Sequence, residues 1–511
     1  MRKNLLALSI AAMVGGLSGA ANAAVFLNTA AAGGLAAPAA AAAADVLNPT
    51  VTGVGHILVV PYFTTQGTNA TLLNLVNTDT VNGKAVKLRF RGASNSDDIF
   101  DITIFLSPGD MWTANVSASG ELSALSTNDN SCTLPSKADI AAAGGLFKTG
   151  RVLGAAAAQT REGYIEILNM ADVPPAAAAT SLFVATKHVN GVAPCTASVM
   201  NAQEADLVAG HATNDPAVRG YSWPTGGLTA NWTIVNLADK ASFSGEAVAI
   251  RADDTTVPAT PASAAGNLVF FPQTADAPSY ATSAAGNASG FTADPLLQAG
   301  GVIVANYDFP DLSTPYTGGA TTAVGTAAQA TALAASLQTT SVINEFLTGT
   351  VADFATDWVF SMPTRRYAIA LNYGLSGAAR LISNAAVNAH YAIGAGGNTS
   401  ISADFSQACV VPGGTLRAYD REENTKTTFV ISPDVALRFC GETSVLSFNS
   451  TSSQVLGAKL AQSNIQAGYA EGWMRINTPG QTAVGLPIVG YAAAKAKGIN
   501  LGGTWNHRTS R

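Results

Sequence analysis

The sequence predicts a mainly β protein built from two antiparallel β-sandwich-like units, with Ala-rich loops and a short helical insertion. Three observations predict this class. Short runs of β-branched and aromatic residues recur from Gly55 onward and are separated by turn residues. Similar phrases occur twice along the chain, which indicates two related units. One stretch, 321–346, is rich in Ala, Leu and Gln, the composition of a helix.

Residues 1–23 are predicted to be a secretory signal peptide. Arg2 and Lys3 precede an apolar run at 5–14, and Ala21-Asn22-Ala23 supplies the small residues of a cleavage site. The apolar run is too short to cross a bilayer as a helix. We therefore expect an exported protein.

The Ala-rich, low-complexity segment 24–50 is predicted to be an N-terminal arm. Gly33, Gly34 and Pro38 interrupt any long helix, so a flexible or loosely helical arm is expected. Its length would allow it to reach a neighbouring subunit. A disordered remnant behind the signal peptide is an equally good interpretation.

The composition excludes some partners. Only 12% of the residues are charged, and 33 acidic residues outnumber 27 basic ones. A chain with an acidic excess and no basic block has no electrostatic footprint for nucleic acid. Few charges leave large neutral surfaces, which suit permanent contacts between subunits; a general Ala-rich bias in an ordinary secreted protein explains the composition equally well.

The first β-rich unit is predicted to span 51–215. Within it, apolar residues of the run 84–92 alternate with Lys87, Arg89 and Arg91, which predicts a strand with one side facing solvent. Asn82-Gly83 directly before this run predicts a hairpin turn.

The second β-rich unit is predicted to span 216–511, with the helical insertion near 321–346. Its segment 229–254 echoes 69–94, because each contains a β run ending in Val-Asn and then a run with Ala-Val before Arg. The phrase "EGYIEILN" at Glu162 likewise returns as "EGWMRIN" at Glu471. Two related sandwich-like units are the predicted explanation.

Four cysteines in an exported chain predict two disulfides. Three pairings are possible, and we favour Cys132 with Cys195 and Cys409 with Cys440, because each pair lies within one predicted unit. The chain has no Cys-x-x-Cys, so neither a thiol redox site nor a thiolate zinc site is predicted.

No motif for catalysis, a cofactor or a phosphate-binding loop occurs in the chain, so no catalytic or cofactor-binding residue is predicted. The five histidines lack ligand spacing: His56, His188, His211, His390 and His507. Acidic or amide clusters are predicted to be turns, with calcium binding as the alternative; they are Asp97-Asp98 with Asp101, Asn128-Asp129-Asn130, Asp253-Asp254, and Asp308 with Asp311.

Two further groups are candidates for surface contacts. The charged group Tyr419–Glu423 suits a solvated ion-pair network or a contact between subunits. Trp358 is expected to pack in the core, while Arg365 and Arg366 are candidates to anchor an acidic polysaccharide.

The phrases "GVGHILVVPYFTTQGTNATLLNLVNT", "FLSPGDMW" and "DWVFSMPTRRY" resemble exported surface-layer-like proteins of Gram-negative proteobacteria, of the nanopod type. Members of this type sheath the outer membrane and its tubular extensions. The resemblance implies a self-assembling lattice and carries over no enzymatic residue. The chain lacks the acidic nonapeptide repeats of calcium-dependent lattice proteins, so calcium is a possible ligand that no motif supports.

The resulting hypothesis is a structural protein, not an enzyme, that forms an S-layer-like lattice on the exterior of the outer membrane. Its expected partners are further copies of itself and the outer-membrane surface or lipopolysaccharide. The alternatives are an outer-membrane porin or barrel, and a secreted adhesin or carbohydrate-binding protein.

Overall fold

The computed structural model describes residues 26–28, 44, 46–208, 210–253, 268–270, 273, 323–349, 353–384, 389–432, 436–460, 462–482, 484–496 and 501–511. The predicted signal peptide lies outside these residues. The described chain is mainly β and contains four large sheets, which we name A to D. The predicted fold class is therefore confirmed.

Sheets A and B form the first sandwich, and all their strand pairs are antiparallel. In spatial order, sheet A contains β2 (Val46–Pro49), β13 (Val248–Asp253), β3 (Ile57–Thr64), β10 (Glu162–Val173), β5 (Gly83–Gly92), β6 (Asp98–Leu106) and β9 (Cys132–Leu134). Sheet B contains β12 (Ala241–Glu246), β11 (Leu228–Asn236), β4 (Asn69–Asn77), β7 (Met111–Ser119) and β8 (Leu122–Ser126).

Sheets C and D form the second sandwich. In spatial order, sheet C contains β23 (Thr425–Lys426), β22 (Leu416–Tyr419), β28 (Glu471–Asn477), β16 (Ser341–Leu347) and β32 (Arg508–Ser510). Sheet D contains β24 (Val430–Ser432), β27 (Gln462–Gln466), β26 (Thr443–Phe448), β17 (Phe354–Ser361), β30 (Val489–Ala496) and β31 (Leu501–Asn506). Strands β26 and β27 pair in parallel.

Smaller elements connect the sheets. The additional strand pairings are β1 (Phe26–Asn28) with β14 (Leu268–Phe270), β15 (Gln338–Thr339) with β29 (Leu486–Pro487), β18 (Ile369–Leu371) with β19 (Leu381–Ser383), and β20 (Thr399–Ile401), β21 (Ala408–Val410) and β25 (Phe439–Cys440). The α-helices are α1 (Lys137–Ala142), α2 (Leu182–Thr186), α3 (Ala197–Ala202) and α4 (Ala323–Leu337), and 3-10 turns occupy Leu153–Ala155, Ala157–Thr160, Arg365–Tyr367 and Gly377–Arg380.

The two sandwiches share their cores. Val359 and Tyr491 on one face of sheet D belong to the same hydrophobic cluster as Leu88 and Trp232 of the first sandwich. The rings of Trp232 and Tyr491 stand 4.6 Å apart between centroids. Apolar side chains on the opposite face of sheet D pack against sheet C, where Phe346 stacks on Phe448. Because sheet D is buried on both faces, the sandwiches form one continuous hydrophobic body.

The predicted boundary at residue 216 does not separate the sheets. Strands β11 and β12 extend sheet B, and β13 pairs with β3 in sheet A. The echo of 69–94 in 229–254 therefore lies within the first sandwich, where β11 pairs directly with β4. Side-chain periodicity predicts strands but does not specify their partners, and for that reason the boundary was wrong.

Three local predictions are also corrected. The helical segment ends at Leu337, and residues from Gln338 onward form β15 and β16, whose β-branched residues favour strands. Asn82-Gly83 does not close a hairpin, because β4 and β5 lie in different sheets. The connection is instead organised by Asp79, whose carboxylate accepts backbone hydrogen bonds from Val81 and Asn82. Within the predicted arm, Phe26–Asn28 and Val46–Pro49 are strands.

The predicted cysteine pairing is confirmed. Cys132 bonds Cys195, which fastens the segment containing α2 and α3 to the edge strand β9. Cys409 and Cys440 are direct neighbours on β21 and β25, with Cα atoms 3.9 Å apart. Such bridges form and persist in oxidising compartments, so the pairing indicates an extracytoplasmic location.

The repeated Glu-Gly-aromatic phrase serves the same purpose in both sandwiches. Gly163 on β10 lies so close to β5 that an added Cβ would stand 1.8 Å from the carbonyl oxygen of Arg91. At Gly472 on β28, the Cβ would stand 1.9 Å from the carbonyl oxygen of Tyr419 on β22. Each glycine thus permits close strand contact at the start of an interior strand.

We expect Gly163→Ala and Gly472→Ala each to lower the free energy of unfolding by about 1–3 kcal/mol, because the methyl group pushes backbone against backbone. Gly349→Ala is the control, since its Cβ would meet nothing within 4 Å. Urea unfolding followed by circular dichroism measures the three losses. Equal losses at all three positions would refute this role for the phrase.

Candidate functional site

The basic residues of β5 do not face solvent, contrary to the prediction. Lys87, Arg89 and Arg91 are fully buried. Gln273 contacts Lys87, Arg151 contacts the carboxylate that pairs with Arg89, and Arg366 of the second sandwich reaches the carboxylate that pairs with Arg91. Strands β6 and β10 provide counter-charges: Lys87 Nζ lies 3.0 Å from Asp101 Oδ2, and Arg89 Nε lies 3.1 Å from Asp98 Oδ2. The alternation of apolar and basic residues along β5 does give the strand two different faces, as predicted. However, one face lies in the apolar core and the other lies in a buried ionic layer, not in solvent.

Glu166 lies at the centre of this layer and links the two sandwiches. Its carboxylate accepts hydrogen bonds from Arg91 Nε at 3.1 Å and from Arg366 Nη2 at 2.9 Å. Burial alone would raise the pKa of Glu166, but the guanidinium groups of Arg366 and Arg91 lower it below its usual value. The carboxylate is therefore ionised and holds both arginines.

The adjacent arginine forms a second buried pair beside this contact, between two loops of the second sandwich. Arg365 Nε lies 3.2 Å from Glu442 Oε2, and Arg365 Nη1 donates to the carbonyl oxygen of Ala408 at 2.6 Å. Arg365 and Arg366 were candidates to anchor an acidic polysaccharide; complete burial overturns that interpretation. We call the salt bridges of Glu166 and Glu442 with these arginines the ionic joint.

A second polar contact is made by Glu162, the first residue of the repeated Glu-Gly-aromatic phrase. The Glu162 carboxylate accepts from Tyr62 Oη at 3.1 Å, from Gln66 Nε2 at 2.7 Å and from the backbone N–H of Lys459 at 2.8 Å. The loop before β27 is thereby fixed to the first sandwich. Glu471, the corresponding residue of the second phrase, is instead only partly buried and pairs with the exposed Arg421 at 2.8 Å.

The acidic clusters of the sequence are distributed over structural contacts. Asp98 and Asp101 belong to the buried layer, Asp129 accepts from Ser131 in a turn, and Asp253 pairs with Arg251. Asp254, Asp308 and Asp311 lie outside the described residues. Within the described residues, no group of three or more His, Cys, Asp or Glu side chains is arranged to hold a metal ion.

His507 is a half-buried residue that packs against the core of the second sandwich. Its ring stacks on Phe360, with centroids 5.1 Å apart, and its Nε2 donates to the carbonyl oxygen of Val359 at 2.9 Å. The amide of Asn344 lies 3.1 Å from Nδ1. Burial lowers the pKa of His507 to about 4, so the ring is neutral in the folded protein near neutral pH.

This histidine predicts a loss of stability in acid. The unfolded chain binds the proton near pH 6.5, whereas the folded protein binds it only near pH 4. The contribution is therefore complete above pH 6.5 and is lost as the pH falls towards 4. Relative to His507→Gln, the wild type should lose up to about 3 kcal/mol across that window. Urea unfolding of both proteins at several pH values measures the difference; parallel pH profiles would exclude this linkage.

The outer face of sheet B is partly exposed to solvent and almost free of charge. Alternate residues of its strands point inward to the core, and the remaining ones form a surface of amide, hydroxyl and aliphatic groups. Glu246 stands at its border on the edge strand β12. The outward positions on the three inner strands are Ala70, Leu72, Asn74, Val76, Met111, Thr113, Asn115, Ser117, Thr229, Asn231, Thr233 and Val235.

The outer face of sheet C is exposed and charged. Arg417 on β22 stands directly opposite Arg475 on β28, and we call these two residues the basic pair. One step along the strands, Tyr419 and Trp473 stack with ring centroids 4.1 Å apart. The turn after β22 exposes Glu422 and Glu423, which we call the acidic turn. The charged group Tyr419–Glu423 is thus a surface feature, as predicted.

A small pocket of about 220 Å³ lies beside this face. Its walls include Leu347, Ala494 and Trp505, and Glu345 and Arg508 form a salt bridge of 2.6 Å at the same place. Trp505 is 45% exposed. An exposed indole next to charged hydrogen-bonding groups can contact a sugar ring.

Comparison with known protein families, characterised proteins and solved structures finds no match for this chain. The class of the protein therefore rests on its mainly β fold, its two disulfides and its exposed sheet faces. In the part of the chain that the structure describes, no helix combines the length and the apolar character needed to span a membrane.

Proposed function

We propose that this protein is a structural component that assembles with copies of itself into an S-layer-like lattice on the outer membrane. The neutral outer face of sheet B carries the proposal. Repulsion between like charges helps to keep soluble proteins apart, and this face lacks it. Amide, hydroxyl and aliphatic groups offer both hydrogen bonds and apolar contact to an adjoining subunit.

The buried charges support the same proposal. Only 12% of the residues in the chain are charged. Among these, Lys87, Arg89, Arg91 and their acidic partners lie in the buried ionic layer and do not contribute charge to the surface. What remains at the surface carries fewer charges than in an ordinary soluble domain. The proposed partners are other copies of this chain and the outer-membrane surface or its lipopolysaccharide, in accord with the two disulfides and the predicted signal peptide.

Introducing charge into the neutral face tests the proposal. The double variant Leu72→Glu/Asn74→Glu places two carboxylates in the middle of sheet B, where both positions are exposed. We expect it to remain monomeric under conditions in which the wild type forms large assemblies, as measured by light scattering. Thr451→Glu/Ser452→Glu, in an exposed bend, is the charge-matched control. Assembly of the sheet B variant at the wild-type level would remove the basis of the proposal.

Glycan binding is a second candidate function, which the exposed Trp505 beside Glu345 and Arg508 favours. Binding of the monomeric double variant to a glycan array, lost on Trp505→Ala, would support a role as an adhesin. Retention of all array signals in Trp505→Ala would reject this pocket as the sugar site.

A further inference from the structure

The basic pair on sheet C is electrostatically unfavourable within one copy of the chain. Like charges directly opposite each other on neighbouring strands destabilise a sheet. Arg475 Nε donates to Asn477 Oδ1 at 3.0 Å, but among the described residues no carboxylate forms a salt bridge with Arg417 or Arg475. Arg508, two strands further along the same row, already pairs with Glu345. The pair therefore presents uncompensated positive charge.

The acidic turn presents the opposite charge at the end of the same face. Asp420 shapes the turn by accepting from the backbone N–H groups of Glu422 and Asn424 at 2.9 and 2.8 Å. Glu422 and Glu423 project from this turn, and no salt bridge neutralises either of them within the described chain. At about 3.3 Å per residue, the turn lies on the order of 15 Å from the basic pair.

We propose that the outer face of sheet C binds the same face of a second copy, with the basic pair of each copy against the acidic turn of the other. A two-fold axis lying in the interface and running across the strands brings both pairs of opposite charges together at once. Trp473 and Tyr419 lie between the two charged ends, so their stacked rings meet at the centre of the contact. Trp, Tyr and Arg are the residues that most often dominate binding energy in interfaces.

The size of the face sets the expected strength. Five strands spaced about 4.8 Å apart give a face roughly 20 Å wide, and such a contact buries on the order of 500 Å² per copy. This is at the low end for a specific interface. A weak, salt-sensitive dimer contact is expected, which joins subunits already held by another surface.

This inference rests on the proposed function, because it names one contact of the proposed assembly. Exchanging the charges on the two ends of the sheet C face tests it. Variant one is Arg417→Glu/Arg475→Glu, and variant two is Glu422→Lys/Glu423→Lys. Each alone should associate at least tenfold more weakly than the wild type in light scattering and sedimentation. An equimolar mixture should recover wild-type association, because each face then meets its complement. Lys187→Glu/Lys240→Glu, on the first sandwich, is the control for altered net charge.

The possible outcomes distinguish this contact from the assembly as a whole. A wild type that never assembles contradicts the proposed function itself. If the wild type assembles and variant one and variant two each associate as strongly as the wild type, only the sheet C contact is overturned. The same conclusion follows if the equimolar mixture does not recover wild-type association. Binding of wild-type monomer to polygalacturonate, lost in variant one while self-association persists, would assign the basic pair to an anionic glycan and also overturn it. Unchanged melting temperatures show that the variants are folded.

Discussion

Replacing Glu166 with Gln is expected to lower the free energy of unfolding by about 3–5 kcal/mol. The substitution keeps the side-chain volume but removes the negative charge that Arg91 and Arg366 share. All three side chains are fully buried, so the two guanidinium groups cannot turn to water. A buried charge that loses its partner retains its desolvation cost without compensation, which makes this the largest single effect that we predict.

The matched control is Glu345→Gln, because Glu345 pairs with Arg508 at the surface. Both of those side chains are about half exposed or more, and an exposed pair contributes at most about 1 kcal/mol. Urea unfolding of both variants at neutral pH provides the comparison. Similar losses in the two variants would show that the ionic joint does not hold the sandwiches together.

Loss of the Cys132–Cys195 disulfide should have the second largest effect. The bridge closes a loop of 63 residues, for which chain entropy predicts roughly 4 kcal/mol, within the 2–5 kcal/mol typical of structural disulfides. Cys132→Ala/Cys195→Ala should mainly loosen the segment with α2 and α3, because this segment packs on the edge of sheet A as a separate cluster. Hydrogen exchange measures where protection is lost.

Removing the Cys409–Cys440 bridge tests whether the stability of each disulfide is coupled to the other disulfide or to the ionic joint. Cys440 lies two residues before Glu442, whereas Cys132–Cys195 belongs to a different cluster. The losses from removing the two bridges should therefore add, while removal of Cys409–Cys440 should be non-additive with Glu166→Gln. Additivity in both combinations would mean that β25 does not support the ionic joint.

The features that could be predicted from the sequence depend on local physics. Alternation identified the strands, Ala-rich composition identified the helix that begins at Ala323, and the position of the cysteines favoured the observed pairing. These signals involve neighbours along the chain, or a small number of possible partners. The sheet to which a strand belongs depends on distant partners, which explains why β11 to β13 were assigned to the wrong unit.

The ionic joint could not be predicted for the same reason. Lys87, Arg89 and Arg91 alternate with apolar residues, and such a pattern normally indicates a solvated face. The buried partner of Arg91 is Glu166, 75 residues further along the chain, and Glu166 in turn holds Arg366, another 200 residues on. One sequence signal was present: Arg365-Arg366 follows a strand expected in the core, and a charge next to a core strand is a reason to search for buried partners.

The assembly state of the purified mature protein tests the central claim most directly. The protein would be dissociated in denaturant, purified as a monomer, returned to buffer without any other component, and examined by light scattering and negative-stain electron microscopy. We predict particles far larger than one chain and ordered sheets with a repeating subunit. A monodisperse species of one chain's mass, at every concentration and salt condition in which the protein is folded, would contradict the proposal that it forms a lattice by itself.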